Sequence, residues 1–385
     1  MFTHSTKEQK KCIEEGLKNQ NHIKVNIVPI DLVKYESNAY HICDRVQKKV
    51  PKNDSVGLNY TGGTKAMAVH AYRAIYEKRP DAFFSYLDPR SLKICIDREN
   101  NQPLEFDVPL ELSLKELFKL HNNNYWLDHK PPLFQAFLPD TIAENFVEIY
   151  SNINLAESWK KWLKEELHSL TKKGEFWKRE EDLKQIQTRG ITIKYLPPKI
   201  RDILRTDLYA STDELRLDIT QKRGFSSLTQ VCEWLDGTWL ESYVLQQIKK
   251  IEYDFNIKQS GMSFYIKDPE YKRINKITWE DEPRFEFDVA FIIGYQLFAI
   301  SCTTSKSHKL CKQKLFEAHL RARQLGGDEA RTALVCCSDT PGYIEDEIKF
   351  SIRDKKIRVF GREDLANLAG GIETWIKLNN QKVGG

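Results

Sequence analysis

The pattern of hydrophobic and polar positions divides the chain into two regular regions with a less regular one between them. In the first hundred residues, apolar runs of strand length lie at 23–30, 56–58, 82–87 and 92–96. Segments with helical spacing lie at 8–19, 38–50 and 66–78. Strands that alternate with helices at this spacing predict a parallel α/β sheet, and such sheets bind ligands at the carboxyl ends of their strands.

The last third of the chain also mixes the two periodicities. A helix is predicted over 237–250, where apolar residues recur every four positions. The strand predicted over 284–293 places phenylalanines on one face and Glu286 and Asp288 on the other. A second α/β pattern is completed by a strand at 296–302, a helix to about 324 and strands at 333–337 and 357–360.

Between these regions the signals are weaker. Asn, Gln, Pro and acidic residues over 100–110 indicate a boundary, and proline pairs interrupt the pattern further on. We therefore predict an α/β domain over 1–105, a linker with a mixed helical segment over 106–230, and a second α/β domain over 231–385. A predicted helix at 156–170 carries Trp159 and Trp162 among lysines. These rings either stack nucleic-acid bases or belong to the core of an amphipathic helix.

Composition narrows the class of protein. The 385 residues are 41% hydrophobic and 30% charged, which is typical of globular domains. A net charge of +4 means that any nucleic-acid surface is a local patch. No apolar run is long enough for a membrane helix and no signal-peptide core is present, so we expect a cytoplasmic protein. The eight cysteines form no Cys-x-x-Cys pair, which argues against a zinc site or a disulfide framework.

A short glycine-rich corner lies between the predicted strand at 56–58 and the helix that follows. Its sequence is Asn59-Tyr60-Thr61-Gly62-Gly63-Thr64-Lys65. Two adjacent glycines let a ligand approach the main chain, and the free N–H groups of the next helix favour anions. The lysine follows the threonine, so the run is not a Walker A loop. The residues indicate either a phosphate-binding loop or an ordinary capped turn.

This run resembles the signature of CARF domains, the Rossmann-like sensors of cyclic oligoadenylates in type III CRISPR defence. The resemblance implies that Asn59, Thr61, Gly62, Gly63, Thr64 and Lys65 line the nucleotide site. It also places Ser5, Thr6 and Lys7 at the family's first ligand loop, where a plain helix cap is the alternative. Because such a domain opens with a core strand, we expect that the chain begins inside its first strand.

Two acidic residues of the last third are candidates for a metal site. Glu241 lies beside the buried stripe of its predicted helix, and Asp288 lies in the middle of a predicted strand. A carboxylate in such a position needs a partner, and Asp is depleted in strand interiors. Together with the end of the strand at 296–302, these acids supply hard oxygen ligands that suit Mg²⁺ or Mn²⁺. Such an ion activates water for attack on a phosphodiester, and a nearby lysine assists.

The arrangement resembles the PD-(D/E)XK nucleases, which have a restriction-endonuclease-like α/β fold. Glu241 and Asp288 match the helix acid and the first strand acid. Ser301-Cys302-Thr303 stands where the family has Glu-x-Lys. We still expect the main-chain carbonyl of Cys302 to be able to bind a metal, because that contact does not depend on the side chain. We expect that the missing groups have moved to the following helix, whose candidates are Lys306, Lys309, Lys312, Lys314 and Glu317. Otherwise the lysines only touch phosphates, or the catalytic centre is lost.

Together, the two resemblances imply an ancillary effector nuclease of antiviral CRISPR systems. The family properties are a homodimer, activation by a cyclic oligoadenylate such as the tetra-adenylate, and cleavage of DNA, RNA or both with little sequence preference. Two alternatives stay open. One is a ligand-responsive nucleic-acid-binding protein with a degenerate nuclease domain, favoured by the missing Glu-x-Lys. The other is a sensor domain that degrades its own cyclic ligand, with Thr64 and Lys65 beside the attacked phosphate.

Overall fold

The protein is represented by a computed structural model. It describes residues 26–88, 93–97, 102–107, 112–121, 131–136, 140–267 and 284–379, with the isolated positions 1, 7, 10, 14, 91, 125–126 and 138. Ser5 and Thr6, and most of the helix predicted at 8–19, lie outside the described residues.

The N-terminal region forms a four-stranded sheet with two helices. Its elements are α1 (Ala39–Lys49), β1 (Gly57–Asn59), α2 (Lys65–Lys78), β2 (Phe83–Asp88), β3 (Lys93–Ile96) and β4 (Leu104–Asp107). The strand order is β1-β2-β3-β4. Ile42, Val46, Ala71 and Phe84 are buried in the core between the helices and the sheet. The α/β class predicted from the alternation of elements is confirmed.

Two details of this sheet differ from the sequence prediction. Only β1 and β2 are parallel, and β2, β3 and β4 form an antiparallel meander. The reason is that β2 and β3 are separated by too few residues for the crossover that a parallel pair needs. In the strand predicted at 23–30, the described residues 26–30 form no strand. Pro29 within this run has no N–H to donate to a ladder.

The middle region is mostly helical. Its helices are α3 (Leu114–Leu120), α4 (Asp140–Ser151), α5 (Ile153–Trp162), α6 (Glu180–Ile186), α7 (Pro198–Leu208), α8 (Leu217–Gln221) and α9 (Leu228–Glu233). A π-helical turn, Leu163–His168, extends α5. Short strands are β5 (Tyr125–Trp126), β6 (Lys172–Lys173), β7 (Phe176–Trp177), β8 (Ile191–Thr192) and β9 (Glu214–Leu215). Trp159 and Trp162 are buried in the core, so they do not form a nucleic-acid surface.

The C-terminal region is built around a six-stranded sheet. Its elements are α10 (Trp239–Ile251), β10 (Ile257–Lys267), β11 (Arg284–Ile293), β12 (Gln296–Thr303), α11 (His308–Gly326), β13 (Arg331–Cys336), α12 (Pro341–Ile352), β14 (Arg358–Phe360) and α13 (Leu368–Asn379). The strand order is β14-β13-β12-β11-β10-β5, in which β12, β13 and β14 are parallel and the other pairs antiparallel.

Both faces of this sheet are covered. Val289 and Phe291 of β11 pack into a large core that also contains Trp159 and Trp239, so the middle region and the C-terminal sheet share one core. Ala290 and Ile292 pack into a second core on the opposite face, together with Phe118 of α3. Both faces of β11 are buried from Val289 to Ile293. Glu286 and Asp288 precede this part of the strand and lie at its less covered end.

Two further observations concern the class of protein. The cysteines in the described part of the chain are free thiols. Among the described helices, none combines the length and apolar character needed to cross a bilayer.

Candidate functional site

The centre of the candidate site is Asp288 of β11. The ladder between β11 and β12 ends at the pair Val289 and Ile300, so the next residues of β12 lack a strand partner on that side. Asp288 fills this gap, because its Oδ2 accepts the N–H of Cys302 at 2.6 Å and the hydroxyl of Ser301 at 2.8 Å. The Asp288 side chain is 11% exposed. A carboxylate is therefore held rigidly at the point where two strands separate.

Glu241 brings a second carboxylate from the first turn of α10. The hydroxyl of Ser263 donates a hydrogen bond to Glu241 Oε2 at 3.1 Å. Burial raises the pKa of Glu241 well above its usual range, and the negative charges of Asp288 and Glu286 raise it further. Two buried carboxylates that repel each other favour a cation between them.

Lys314 of α11 approaches both the acid and the strand end. Its Nζ lies 3.5 Å from the carbonyl oxygen of Cys302 and 3.9 Å from Asp288 Oδ2. Burial by itself lowers the pKa of Lys314. The attraction of Asp288 and of other negative groups nearby outweighs burial, so the pKa of Lys314 is raised above its usual value. Lys314 is therefore a stable positive charge rather than a base at neutral pH.

Two hollows open on either side of Lys314. The first, which we call the acid cleft, has a volume of about 160 Å³ and is lined by Glu286, Asp288, Ser301, Lys314, Glu317 and Arg321. The second hollow has a volume of about 260 Å³, and its lining includes Trp177, Asp236, Glu241, Thr304 and Lys314. Lys314 therefore lies between the hollow that contains Asp288 and the hollow that contains Glu241.

The donor set fits a hard divalent cation with few side-chain ligands. Glu241 and Asp288 supply carboxylate oxygens, and the carbonyl of Cys302 is the third oxygen beside them. Burial, followed by the charges of Asp288 and Glu241, raises the pKa of the Cys302 thiol well above its usual range, so its sulfur is not an anionic ligand. Within the described residues, no group of three or more His, Cys, Asp and Glu side chains is placed to hold a metal.

The candidates on α11 do not all reach this cluster. Successive residues are rotated by about 100° around a helix, so Lys309 and Lys312 point roughly 140° and 160° away from Lys314. Lys312 instead pairs with Glu347 at 2.8 Å, and Lys309 is exposed. Glu317 lies about 60° from Lys314 on the helix and lines the acid cleft. Lys306, on the preceding loop, pairs with Glu157 at 3.0 Å.

The structure adds residues to the site that sequence reasoning missed. Ser263 and Ser301 each donate a hydrogen bond to one of the two acids. No sequence signal marks Ser263, whereas Ser301 was noted only as the residue at the position of the missing acid. Glu286 contributes negative charge, and its position two residues before Asp288 on the same strand is a signal of this role. Lys160 of α5 donates to the carbonyl of Thr304 at 2.6 Å and so holds the loop after β12.

The polar loop of the N-terminal domain is braced by its own side chains. Thr61 Oγ1 accepts the N–H of Leu87 at 2.7 Å, and Asn59 Nδ2 donates to Ser85 Oγ at 3.2 Å. Thr64 caps α2, because its hydroxyl oxygen accepts the N–H of Met67 at 3.2 Å. Asn59, Thr61 and Thr64 therefore shape the loop, as the capped-turn interpretation expects.

The same loop also leaves room for a ligand. Gly63 has a φ of +91°, which a residue with a side chain rarely adopts. Nothing lies within 4 Å of the position that a Cβ would take on Gly62. Lys65 is exposed at the first position of α2, and Lys7 is exposed as well. An anion at this helix start therefore meets free N–H groups and a lysine.

Family models match both ends of the chain. Residues 1–117 match the Card1 CARF domain, and residues 229–379 match the Card1-like endonuclease domain. The chain belongs to the Card1-like family, in which a CARF domain is joined to an endonuclease domain. Its CARF domain contains the braced loop, and its endonuclease domain contains Glu241, Asp288 and Lys314.

Solved structures with the same fold span the CARF domain and the endonuclease domain together. Protein VC1899 of Vibrio cholerae superposes with a TM-score of 0.68 at 15% identity, covering 99% of this chain and 91% of its own. Can2 of Sulfobacillus thermosulfidooxidans, solved in complex with cyclic tetra-adenylate, has a TM-score of 0.61 at 16% identity. The match covers 97% of this chain and 90% of the Can2 chain. At these identities the likeness shows the fold alone. No curated protein sequence matches the chain significantly.

Proposed function

We propose that the chain is a divalent-metal-dependent endonuclease that cyclic tetra-adenylate activates through the CARF domain. The observation that carries the chemistry is the contact of Asp288 with the backbone of Cys302, with Lys314 3.9 Å from the same carboxylate oxygen. Acids and a lysine at the end of two diverging strands form a phosphodiester-cleaving arrangement in an endonuclease domain.

Each residue has a distinct task in this proposal. Glu241, Asp288 and the carbonyl of Cys302 would hold Mg²⁺ or Mn²⁺. A bound ion of this kind supplies an activated water and offsets charge on the phosphodiester. Lys314 stays protonated and stabilises negative charge as it develops on the phosphate. Ser301 and Ser263 fix the carboxylates so that little reorganisation accompanies the reaction.

The activator site is the loop between β1 and α2. Its supports are the open space at Gly62, the left-handed backbone of Gly63 and the exposed Lys65 at the helix start. We choose cyclic tetra-adenylate as the activator because Can2, which has the same fold, was solved in complex with it. A ring of four identical nucleotides is compatible with a two-fold axis, so we propose that two CARF domains share one ring in a homodimer. The ligand shifts the nuclease only by binding the active arrangement more tightly.

The test combines ligand, metal and substrate. Purified protein is incubated with Mn²⁺ or Mg²⁺, supercoiled plasmid, and single-stranded DNA and RNA, with and without cyclic tetra-adenylate or hexa-adenylate. We expect cleavage that requires both metal and the tetra-adenylate. Asp288→Asn keeps a hydrogen-bonding side chain but removes its charge, so it should abolish cutting while ligand binding persists. Full cutting by this variant would exclude Asp288 from the mechanism.

One observation favours a second function. The absence of a three-side-chain metal group among the described residues fits a nuclease domain that binds nucleic acid without cutting it. That protein retains DNA with an affinity that falls steeply with salt. It shows no cleavage with either metal, even when cyclic tetra-adenylate is bound.

A further inference from the structure

A segment of the middle region contacts both sides of the candidate metal site. It consists of α5 and the π-helical turn Leu163–His168 that continues this helix. We call residues 153–168 the strut. Trp159 and Trp162 bury the strut in the core that the middle region shares with the C-terminal sheet. The strut is therefore packed against the endonuclease domain, although it lies between the two segments that the family models match.

One part of the strut holds the loop that follows β12. Lys160 Nζ donates to the carbonyl oxygen of Thr304 at 2.6 Å. Glu157, one turn earlier, pairs with Lys306 of the same loop at 3.0 Å. Thr304 lies two residues after Cys302, so these contacts limit the movement of the Cys302 carbonyl.

The other end of the strut holds the start of α10. His168, the last residue of the strut, donates from Nε2 to Asp236 Oδ1 at 2.8 Å. Lys172, which follows on β6, donates to the second oxygen of the same carboxylate at 2.9 Å. The Asp236 side chain is 30% exposed and its two partners less, so solvent screens these ion pairs only in part. Because Asp236 precedes Glu241 by five residues, its contacts restrain the first turn of α10.

The contact between His168 and Asp236 joins two π-helical turns. Asp236 lies in the second of them, Trp234–Thr238, which leads directly into α10. Turns of this kind are rare and are often found at functional sites. A π-helical turn holds about one residue more than an α-helical turn, so it changes the direction in which the following side chains point. The paired turns therefore determine where Glu241 lies relative to the end of β12.

The hollow of about 260 Å³ beside Glu241 is lined by residues from both sets of contacts. Asp236 and Glu241 come from the start of α10, and Cys302 and Thr304 come from the end of β12. Two ligands on separate elements share one divalent ion only when both of their oxygens lie within about 2.0–2.6 Å of it. The spacing across this hollow therefore decides whether Glu241 and the Cys302 carbonyl act on the same ion.

We propose that the strut is a positioning device for the metal site. Lys160 holds the carbonyl near the end of β12, whereas His168 and Lys172 act through Asp236 on Glu241. The two oxygens then face one Mg²⁺ or Mn²⁺ ion, and the residues that hold them contact neither the ion nor the substrate. This inference rests on the proposed function, because it takes that carbonyl and Glu241 as metal ligands.

The test measures metal binding in the absence of nucleic acid. Mn²⁺ is titrated by calorimetry into the full-length, metal-free protein. Asp236→Asn keeps the size of the side chain but removes the charge that His168 and Lys172 contact. It should weaken Mn²⁺ binding about tenfold, because groups that orient metal ligands typically contribute about 10- to 100-fold to metal affinity. Asp218→Asn breaks a comparable ion pair of the middle region, with Arg216 at 2.8 Å, and should leave Mn²⁺ binding unchanged.

Lys172→Met separates positioning from charge. Removal of a positive charge near the site would by itself strengthen Mn²⁺ binding, whereas loss of a positioning contact weakens it. We expect weaker binding. At saturating Mn²⁺, both Lys172→Met and Asp236→Asn should cut nucleic acid with nearly the kcat of the unmodified protein, because the reacting groups are intact.

Tighter Mn²⁺ binding by Lys172→Met, or unchanged binding by Asp236→Asn, would overturn the role of the strut. Equal losses in Asp218→Asn and Asp236→Asn, or no Mn²⁺ binding by the unmodified protein, would do the same. If one variant fails to fold, as thermal denaturation shows, the other decides. If both variants bind Mn²⁺ more weakly but the unmodified protein cuts nothing with metal and cyclic tetra-adenylate, the strut stands and the nuclease function fails.

Discussion

The assignment of Lys314 as the charge-stabilising group leads to a quantitative prediction for Lys314→Met. Methionine keeps an unbranched side chain suited to a helix and removes the charge. At 3.9 Å, opposite charges interact by about 4 kcal/mol with an effective dielectric constant of about 20. Because the Lys314 side chain is 41% exposed, solvent screening reduces this value, and we use about 2 kcal/mol.

A phosphate that develops charge in the acid cleft meets Lys314 at a similar distance. Loss of about 2 kcal/mol of transition-state stabilisation lowers kcat by about thirty-fold. The assay is cleavage of single-stranded DNA at saturating cyclic tetra-adenylate and saturating Mn²⁺. Saturation matters, because Lys314 also lowers the pKa of Glu241 and its removal changes metal affinity.

Control variants separate this role from a general loss of positive charge. Lys355→Met removes an exposed lysine between α12 and β14 and should leave kcat unchanged. Lys309→Met and Lys312→Met test the other two candidates on the same helix. Full activity of Lys314→Met, together with a large loss in either of these, would refute the assignment based on the contacts of Lys314.

Three further predictions concern the ligand loop and the metal site. Lys65→Ala should weaken binding of cyclic tetra-adenylate measured by calorimetry, whereas Lys49→Ala in the last turn of α1 should not; equal affinities would mean that the loop is misread. The pKa of Glu241 is raised above 4.5, so the metal-free protein should lose stability as pH rises through the raised value. The loss is at most about 1.4 kcal/mol per pH unit. Thermal denaturation of Glu241→Gln should not show this loss. Parallel pH curves for the two proteins would contradict that pKa. Ser301→Glu adds an acid beside Asp288 and should lower the Mn²⁺ concentration for half-maximal cleavage about tenfold; Ser301→Gln is the uncharged control, and identical curves for both would exclude an effect of charge.

The regular elements near the site were predictable because their signals are local. The strand over 284–293 and the helix ending near residue 324 follow from alternation, helical spacing and the glycines that end them. The predicted faces of that strand were wrong in part, because Phe287 and Phe291 pack into opposite cores rather than on one face. The antiparallel meander of the CARF domain was not predicted, since apolar runs alone do not distinguish strand directions. The shared core of the middle region with the C-terminal sheet was also missed, because it depends on contacts far apart in sequence.

The site was predictable only where one residue carries the signal. Asp288 is unusual in a strand and Glu241 is unusual beside a buried stripe, so the sequence marks each of them as a candidate by itself. The choice among the lysines of α11 depends on how the helix is rotated over β12. That rotation is set by packing of Cys311, Leu315 and Ala322, which are all buried, and it cannot be read from spacing alone.

The contacts of Ser301, Thr303 and Lys314 explain how the strand end is arranged without the Glu-x-Lys motif. Ser301, at the position of the missing acid, donates its hydroxyl to Asp288 and adds no negative charge. Thr303, at the position of the missing lysine, pairs with Cys336 in the parallel ladder, and Lys314 supplies the positive charge from α11. Two carboxylates and one lysine remain, so the charge balance at the strand end resembles an active nuclease more than an abandoned one. Under the proposed function, a site with one carboxylate fewer than the family pattern would hold its metal more weakly, and the ionic state of Glu241 would therefore have a larger influence on metal affinity.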